Sequence, residues 1–107
     1  NKELFSSFKP GSVFINIGRG DAVIEQDLIE ILNDGIIDHA YLDVFQQEPL
    51  PCDHPFWTME NVTITPHVSS HSKMYLVRAF DIFYKNLETY LNNGDDFINE
   101  VDLTRGY

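Results

Sequence analysis

The chain has 107 residues, 43% of them hydrophobic and 13% aromatic, with a formal net charge of −10. That supplies a modest core and argues against disorder, while the acidic balance argues against nucleic acid or an anionic membrane as a partner. No apolar run approaches the roughly 18 residues of a membrane span, and no basic-then-apolar leader opens the chain, so a cytoplasmic protein is expected.

Glu3 to Lys9 reads as the end of a helix stopped by Pro10-Gly11. Ser12 to Ile17 is a short apolar, β-branched run suited to a buried strand. Glu25 to Asn33 reads as a helix with Leu28, Ile31 and Leu32 on one face, closed by Asp34-Gly35. Ala40 to Phe45 is a second strand, and Asn61 to Thr65 a third that Pro66 ends. Between these two strands, Gln46 to Glu60 forms a long loop rich in proline and polar residues, a length that in a compact domain often marks function. Ser72 to Asn93 is a long amphipathic helix ending at Gly94, with Leu76, Ala79, Phe80, Phe83, Leu87, Tyr90 and Leu91 as its packing face. The tail from Asp95 reads as mostly irregular.

Strands alternating with helices point to parallel β-α-β units, whose ligands sit beyond the carboxyl ends of the strands. Gly18-Arg19-Gly20 follows the first strand, Asp43 lies at the end of the second and Pro66-His67 follows the third, so the chemistry-bearing residues fall at one edge.

Arg19 stands between two glycines that allow close ligand approach, and its guanidinium fork suits bidentate binding of a carboxylate. Alone, a surface arginine in a tight turn is the commoner case. His67 can hand over a proton near neutral pH, although a hydrogen-bonded structural histidine is the commoner fate. Glu48 precedes Pro49 in the long loop; a carboxylate paired with a histidine fixes its tautomer and favours the protonated ring, ready to donate to a carbonyl oxygen. The alternative is a solvated loop glutamate. His39, His54 and His71 lack comparable placement. No Cys or carboxylate set accompanies His67 and His71, so a zinc site is not expected. The lone Cys52 permits no internal disulfide and fits a reducing compartment.

Taken together, three segments identify a pattern. Asn16-Ile17-Gly18-Arg19-Gly20, the run from Leu42 to Leu50 (LDVFQQEPL) and Asn61-Val62-Thr63-Ile64-Thr65-Pro66-His67 closely resemble the signature segments of D-isomer-specific 2-hydroxyacid dehydrogenases. Asp53-His54-Pro55-Phe56-Trp57 resembles that family's proline-rich loop, and the separations fit as well. The resemblance covers essentially the whole chain.

It implies the C-terminal half of a Rossmann-like nucleotide-binding domain, three parallel strands with helices, over residues 1–71. Residues 72–107 would be a long helix returning toward a missing substrate domain, with that domain's tail. It further implies that Arg19 binds the substrate carboxylate and polarises the 2-keto group. His67 would be the general acid for reduction and the base for oxidation, oriented by Glu48, with the hydride carried by a nicotinamide. Ile17, Gly18, Arg19 and His67 would line the pocket for NAD or NADP. Asp43 would accept from the nicotinamide carboxamide, or merely cap a turn. The segment after the histidine is usually small and Gly-rich in this family; here it is Val68-Ser69-Ser70-His71, with Ser69 and Ser70 as the small lining.

The closing run from Val101 to Tyr107 and the Gln-Gln-Glu-Pro-Leu-Pro run from Gln46 resemble the glyoxylate/hydroxypyruvate reductase branch. Glyoxylate or hydroxypyruvate leads as substrate, with phosphoglycerate-type acids behind, and a homodimer is the implied assembly. No G-x-G-x-x-G occurs in the chain. That pyrophosphate loop would lie upstream of Asn1, and the abrupt start without an initiator Met fits a fragment expected to be inactive alone. The rival is a non-catalytic NAD-sensing protein, such as the corepressors built on this fold, which can keep the Arg-Glu-His set. A formate dehydrogenase is disfavoured because that relative typically has Gln in place of Glu48.

Overall fold

A computed structural model describes residues 1–104, so the Arg105-Gly106-Tyr107 end of the reductase-like tail lies outside the described residues. The chain forms two compact units, Asn1–Ser69 and Ser70–Tyr107.

The first unit runs α1 (Lys2–Ser6), β1 (Ser12–Asn16), a 3-10 turn (Gly20–Ala22), α2 (Glu25–Asn33), β2 (Ile37–Leu42), a second 3-10 turn (Pro55–Trp57) and β3 (Val62–Ile64). The strands form one parallel sheet in the order β1-β2-β3. α2 keeps the limits its periodicity predicts, because its apolar stripe and its ends agree. Leu28 and Ile31 are fully buried and Leu32 nearly so, and Gly35 leaves the helix at a φ of +69° that a side chain would disfavour. Burying each of these side chains contributes about 1.5–3 kcal/mol. They pack with Phe5 of α1, Ala40 and Leu42 of β2, and Phe45 and Phe56 of the loop beyond.

Several boundaries move. α1 begins at Lys2, its first turn capped by the Asn1 side chain, which accepts from Leu4 N–H. β2 starts at Ile37 and ends at Leu42, three residues earlier than its apolar run suggests. Asp43 falls just past the strand: its N–H still donates to Asn16 O at 3.0 Å, while its carboxylate binds the turn after β3. The long loop is not devoid of regular structure. His54 caps a 3-10 turn through Nδ1, which accepts from Phe56 N–H at 3.3 Å, and the turn sinks Phe56 into the core. The expectation of a buried β1 holds on one face only. Phe14 packs against Phe5, while Val13 and Ile15 on the other face are 49% and 60% exposed.

The second unit is α3 (Tyr75–Leu91) with its tail. The helix starts three residues later than predicted, and its end is set by Asn93 rather than Gly94. Asn93 takes the left-handed φ of 54°, and Gly94 N–H closes onto Thr89 O at 2.9 Å. The irregular tail returns along α3, where Asn86 brackets the Ile98 backbone by donating to its carbonyl at 2.9 Å and accepting from its N–H at 2.8 Å. Among the described residues no helix is long and apolar enough to cross a membrane.

Candidate active site

The carboxyl ends of β1, β2 and β3 each deliver one part of the site. After β1, the buried Asn16 shapes the glycine turn. Its Oδ1 accepts from Gly18 N–H at 3.2 Å and its Nδ2 donates to Arg19 O at 3.0 Å. Arg19 stays exposed, with Nη1 donating to Gly18 O at 2.8 Å. Gly20 then passes so close to the β2 loop that a Cβ would lie 2.0 Å from the Phe45 carbonyl carbon and oxygen. Space, not backbone torsion, demands glycine here, and that approach sets the Arg19 turn against the loop carrying Glu48.

Glu48 is held at both oxygens. Oε1 accepts from Phe45 N–H at 3.0 Å, and Oε2 meets His67 Nδ1 at 2.7 Å. The hydrogen bond from His67, with the one from Phe45 behind it, holds the Glu48 carboxyl below its usual range. The acid is therefore ionised near neutrality, Nδ1 carries the proton, and Nε2 is left for a ligand.

His67 has a left-handed φ of 53°, which costs a non-glycine residue about 1–2 kcal/mol. Asp43 supplies the counterforce. Its carboxylate accepts from the Thr65 hydroxyl, from Val68 N–H at 3.0 Å and from Ser69 N–H at 2.8 Å, bracketing His67 on both sides. Asp43 is only 2% exposed, yet the Thr65 hydroxyl first, and the Ser69 and Val68 groups with it, hold its carboxyl well below the usual range against the effect of burial. The geometry thus gives Asp43 to the His67 turn, one of the two roles its position suggests.

Arg19, Glu48 and His67 line one cleft of about 340 Å³ together with Gly20, Val44, Phe45 and Gln46. A larger hollow of about 600 Å³ also borders the Glu48–His67 pair, walled by Leu50, Trp57, Ile64 and Pro66. It has more room but lacks Arg19, so the cleft is where an anion and a proton donor can meet the same molecule. Ile17 is 63% exposed, and a Cβ on Gly18 would meet only Asn16 Oδ1 at 3.8 Å. Ser69 is spent through its backbone on Asp43, and Ser70 opens the second unit. Among the described residues no cluster of three or more His, Cys, Asp or Glu could hold a metal.

Sequence reasoning passes over four residues that shape this edge: Asn16, Glu25, Gln46 and Thr65. Asn16 and Thr65 stand inside the signature segments, and their polar side chains at strand ends are the available signal. Gln46 also stands inside a signature segment, but neither it nor Glu25 signals their bond, which joins the start of a helix to a distant loop.

A parallel α/β unit with an arginine and a histidine–carboxylate pair at its carboxyl edge is a nucleotide-binding type of fold equipped for acid–base chemistry. Residues 1–69 match the family described as D-isomer specific 2-hydroxyacid dehydrogenase, NAD binding domain. The chain belongs to that family. It is 39% identical over all 107 residues to glyoxylate/hydroxypyruvate reductase A of Yersinia enterocolitica, covering 33% of that protein. Two of the solved structures that share the fold are similar along the whole chain. One is a D-isomer specific 2-hydroxyacid dehydrogenase from Xanthobacter autotrophicus in complex with NADPH and MES (TM-score 0.88, 38% identity, 100% of this chain and 43% of that one). The other is an NADPH-dependent glyoxylate/hydroxypyruvate reductase from Sinorhizobium meliloti in complex with NADP and sulfate (TM-score 0.86, 34% identity, 100% of this chain and 34% of that one). The chain spans about a third of the length of the curated relatives it matches.

Proposed function

We propose that this chain is the catalytic edge of an NAD(P)-dependent D-2-hydroxyacid dehydrogenase that reduces a small 2-keto acid of the glyoxylate or hydroxypyruvate kind. The observation that carries the reading is the shared cleft: Arg19 opens onto the same space as His67, whose Nδ1 is committed to Glu48 at 2.7 Å.

Arg19 pairs with the substrate carboxylate and draws electron density from the adjacent keto oxygen. His67 donates its Nε2 proton to that oxygen during reduction and withdraws it during oxidation. Glu48, ionised and fixed by Phe45 N–H, holds the ring in the tautomer and orientation that aim Nε2 outward. A nicotinamide, when bound, supplies or receives the hydride, a step no protein side chain performs. The open space at Gly18 and the exposed Ile17 fit a flat ring approaching the ends of the strands. Ile17, Gly18, Arg19 and His67 would hold it, with the turn that Asp43 fixes at Ser69 beside His67. Without a pyrophosphate loop these residues have little to hold the rest of a dinucleotide. We therefore assign activity to the full-length protein, as a homodimer, and none to these residues alone.

The test is oxidation of NADH and NADPH by the full-length protein with glyoxylate and hydroxypyruvate. We expect ketoacid-dependent turnover that drops about 10²- to 10⁴-fold in His67→Ala and no turnover from the 107-residue chain. Full-length protein silent with both nucleotides and both acids overturns the enzyme reading in favour of a nucleotide-sensing protein. Robust turnover by the isolated chain overturns the assignment to the longer protein.

A further inference from the structure

We infer that Glu25, at the start of α2, is a positioning residue for the Glu48–His67 pair. The inference rests on the reductase reading above and adds to it a residue outside the cleft.

Glu25 grips the loop that carries Glu48 on both sides of that residue. Its Oε1 accepts from Gln46 N–H at 2.9 Å, and its Oε2 stands 3.5 Å from His54 Nε2. His54 Nδ1 accepts from Phe56 N–H, so the ring proton sits on Nε2 and faces the carboxylate. Gln46 is tied a second time, its side-chain amide donating to Val23 O at 2.6 Å. At the other end Phe56 is 1% exposed and touches both His54 and Phe45. The loop is thus pinned to the first turn of α2 at Gln46 and at His54, with Glu48 between the pins.

The path to the site is short. Gln46 follows Phe45, whose N–H fixes Glu48 Oε1, and Glu48 Oε2 fixes His67. Releasing Gln46 N–H loosens the peptide next to the one whose N–H aims Glu48. The simpler role for an acid in a first helical turn is to complement the helix dipole from solvent. Here, however, the Glu25 side chain is only 16% exposed, and its oxygens are turned to the loop.

Two substitutions in the full-length protein separate these roles. Glu25→Asp keeps the charge at the helix start and loses the reach by one methylene; Glu25→Gln keeps the reach and an oxygen for Gln46 N–H. We expect Glu25→Asp to lower kcat about 10- to 100-fold with ketoacid KM changed less than about 3-fold, as for a small displacement at a reacting centre, and Glu25→Gln to recover most of the loss. In a Glu48→Gln background the further loss from Glu25→Asp should fall below about 3-fold, since residues acting in series are not additive. The hydrogen-bonded Nδ1 proton of His67, assigned in NMR spectra by its loss in His67→Asn, should shift or broaden in Glu25→Asp. Unchanged kcat and an unchanged proton signal in Glu25→Asp overturn the inference, as does an undiminished loss in the Glu48→Gln background. If the parent protein oxidises no nucleotide but the proton signal still responds to Glu25→Asp, the positioning role stands and the reductase reading falls.

Discussion

Replacing Gly20 by alanine puts a methyl group where the structure has backbone. The added carbon would lie 2.0 Å from the Phe45 carbonyl carbon and oxygen and 2.5 Å from Gln46 N. No rotamer relieves this, because neither partner is a side chain. Opening the contact from 2.0 Å to the 3.4 Å at which ordinary contact begins parts the Arg19 turn from the Glu48 loop by about 1.4 Å. Elsewhere a glycine-to-alanine change at a compatible torsion stabilises by about 0.4–1 kcal/mol; here overpacking reverses the sign, at about 1–3 kcal/mol. For a domain of this size that lowers Tm by about 5 to 20 °C. Function suffers separately, since an error of about 1 Å between groups that must meet one substrate costs about 100-fold in kcat/KM. Circular-dichroism melting and steady-state reduction by the full-length protein measure the two effects. A Gly20→Ala protein with Tm within about 2 °C and kcat/KM within about twofold of the parent would refute the argument that backbone contact sets the Arg19–Glu48 spacing.

Arg19→Lys keeps the charge and loses the planar fork, so kcat/KM for the ketoacid should fall about 10- to 100-fold while nucleotide affinity stays within a few-fold; an equal loss for both ligands would point to a collapsed turn instead. Asp43→Asn should destabilise the protein in a pH-dependent way. Because the folded carboxyl titrates below its ordinary value of 3.8, the parent's advantage is fully present above about pH 5 and shrinks as the pH falls below about 4. Melting curves of both proteins from neutral to acid pH check this, and a gap that stays constant or widens in acid contradicts it.

Local pattern was sufficient where a segment's ends and its buried face are set by its own residues. α2 is the example: Leu28, Ile31 and Leu32 dictate the face, Gly35 the exit, and the limits come out as the periodicity predicts. β2 is the counterexample. Ala40 to Phe45 is uniformly suited to a strand, but the pairing with both neighbours ends at Leu42, and Asp43 keeps one backbone bond to Asn16 while its carboxylate binds Thr65, Val68 and Ser69 on the far side of a crossover. Asn93 instead of Gly94 at the end of α3 is a smaller case of the same kind, in which the chain's return to Thr89 chooses the left-handed residue.

The site divides the same way. Sequence order alone put Arg19, Asp43 and His67 at the carboxyl ends of parallel strands, with Glu48 in the loop after the second, because strand polarity follows from the alternation of helix and strand. What it could not supply was contact. The 2.7 Å bond between His67 and Glu48, the approach of Gly20 to Phe45 and the grip of Glu25 on the loop each join residues distant along the chain. Residue type says which groups can donate, accept or carry charge, whereas a hydrogen bond needs its partners within about 3 Å. Only the folded backbone brings them that close.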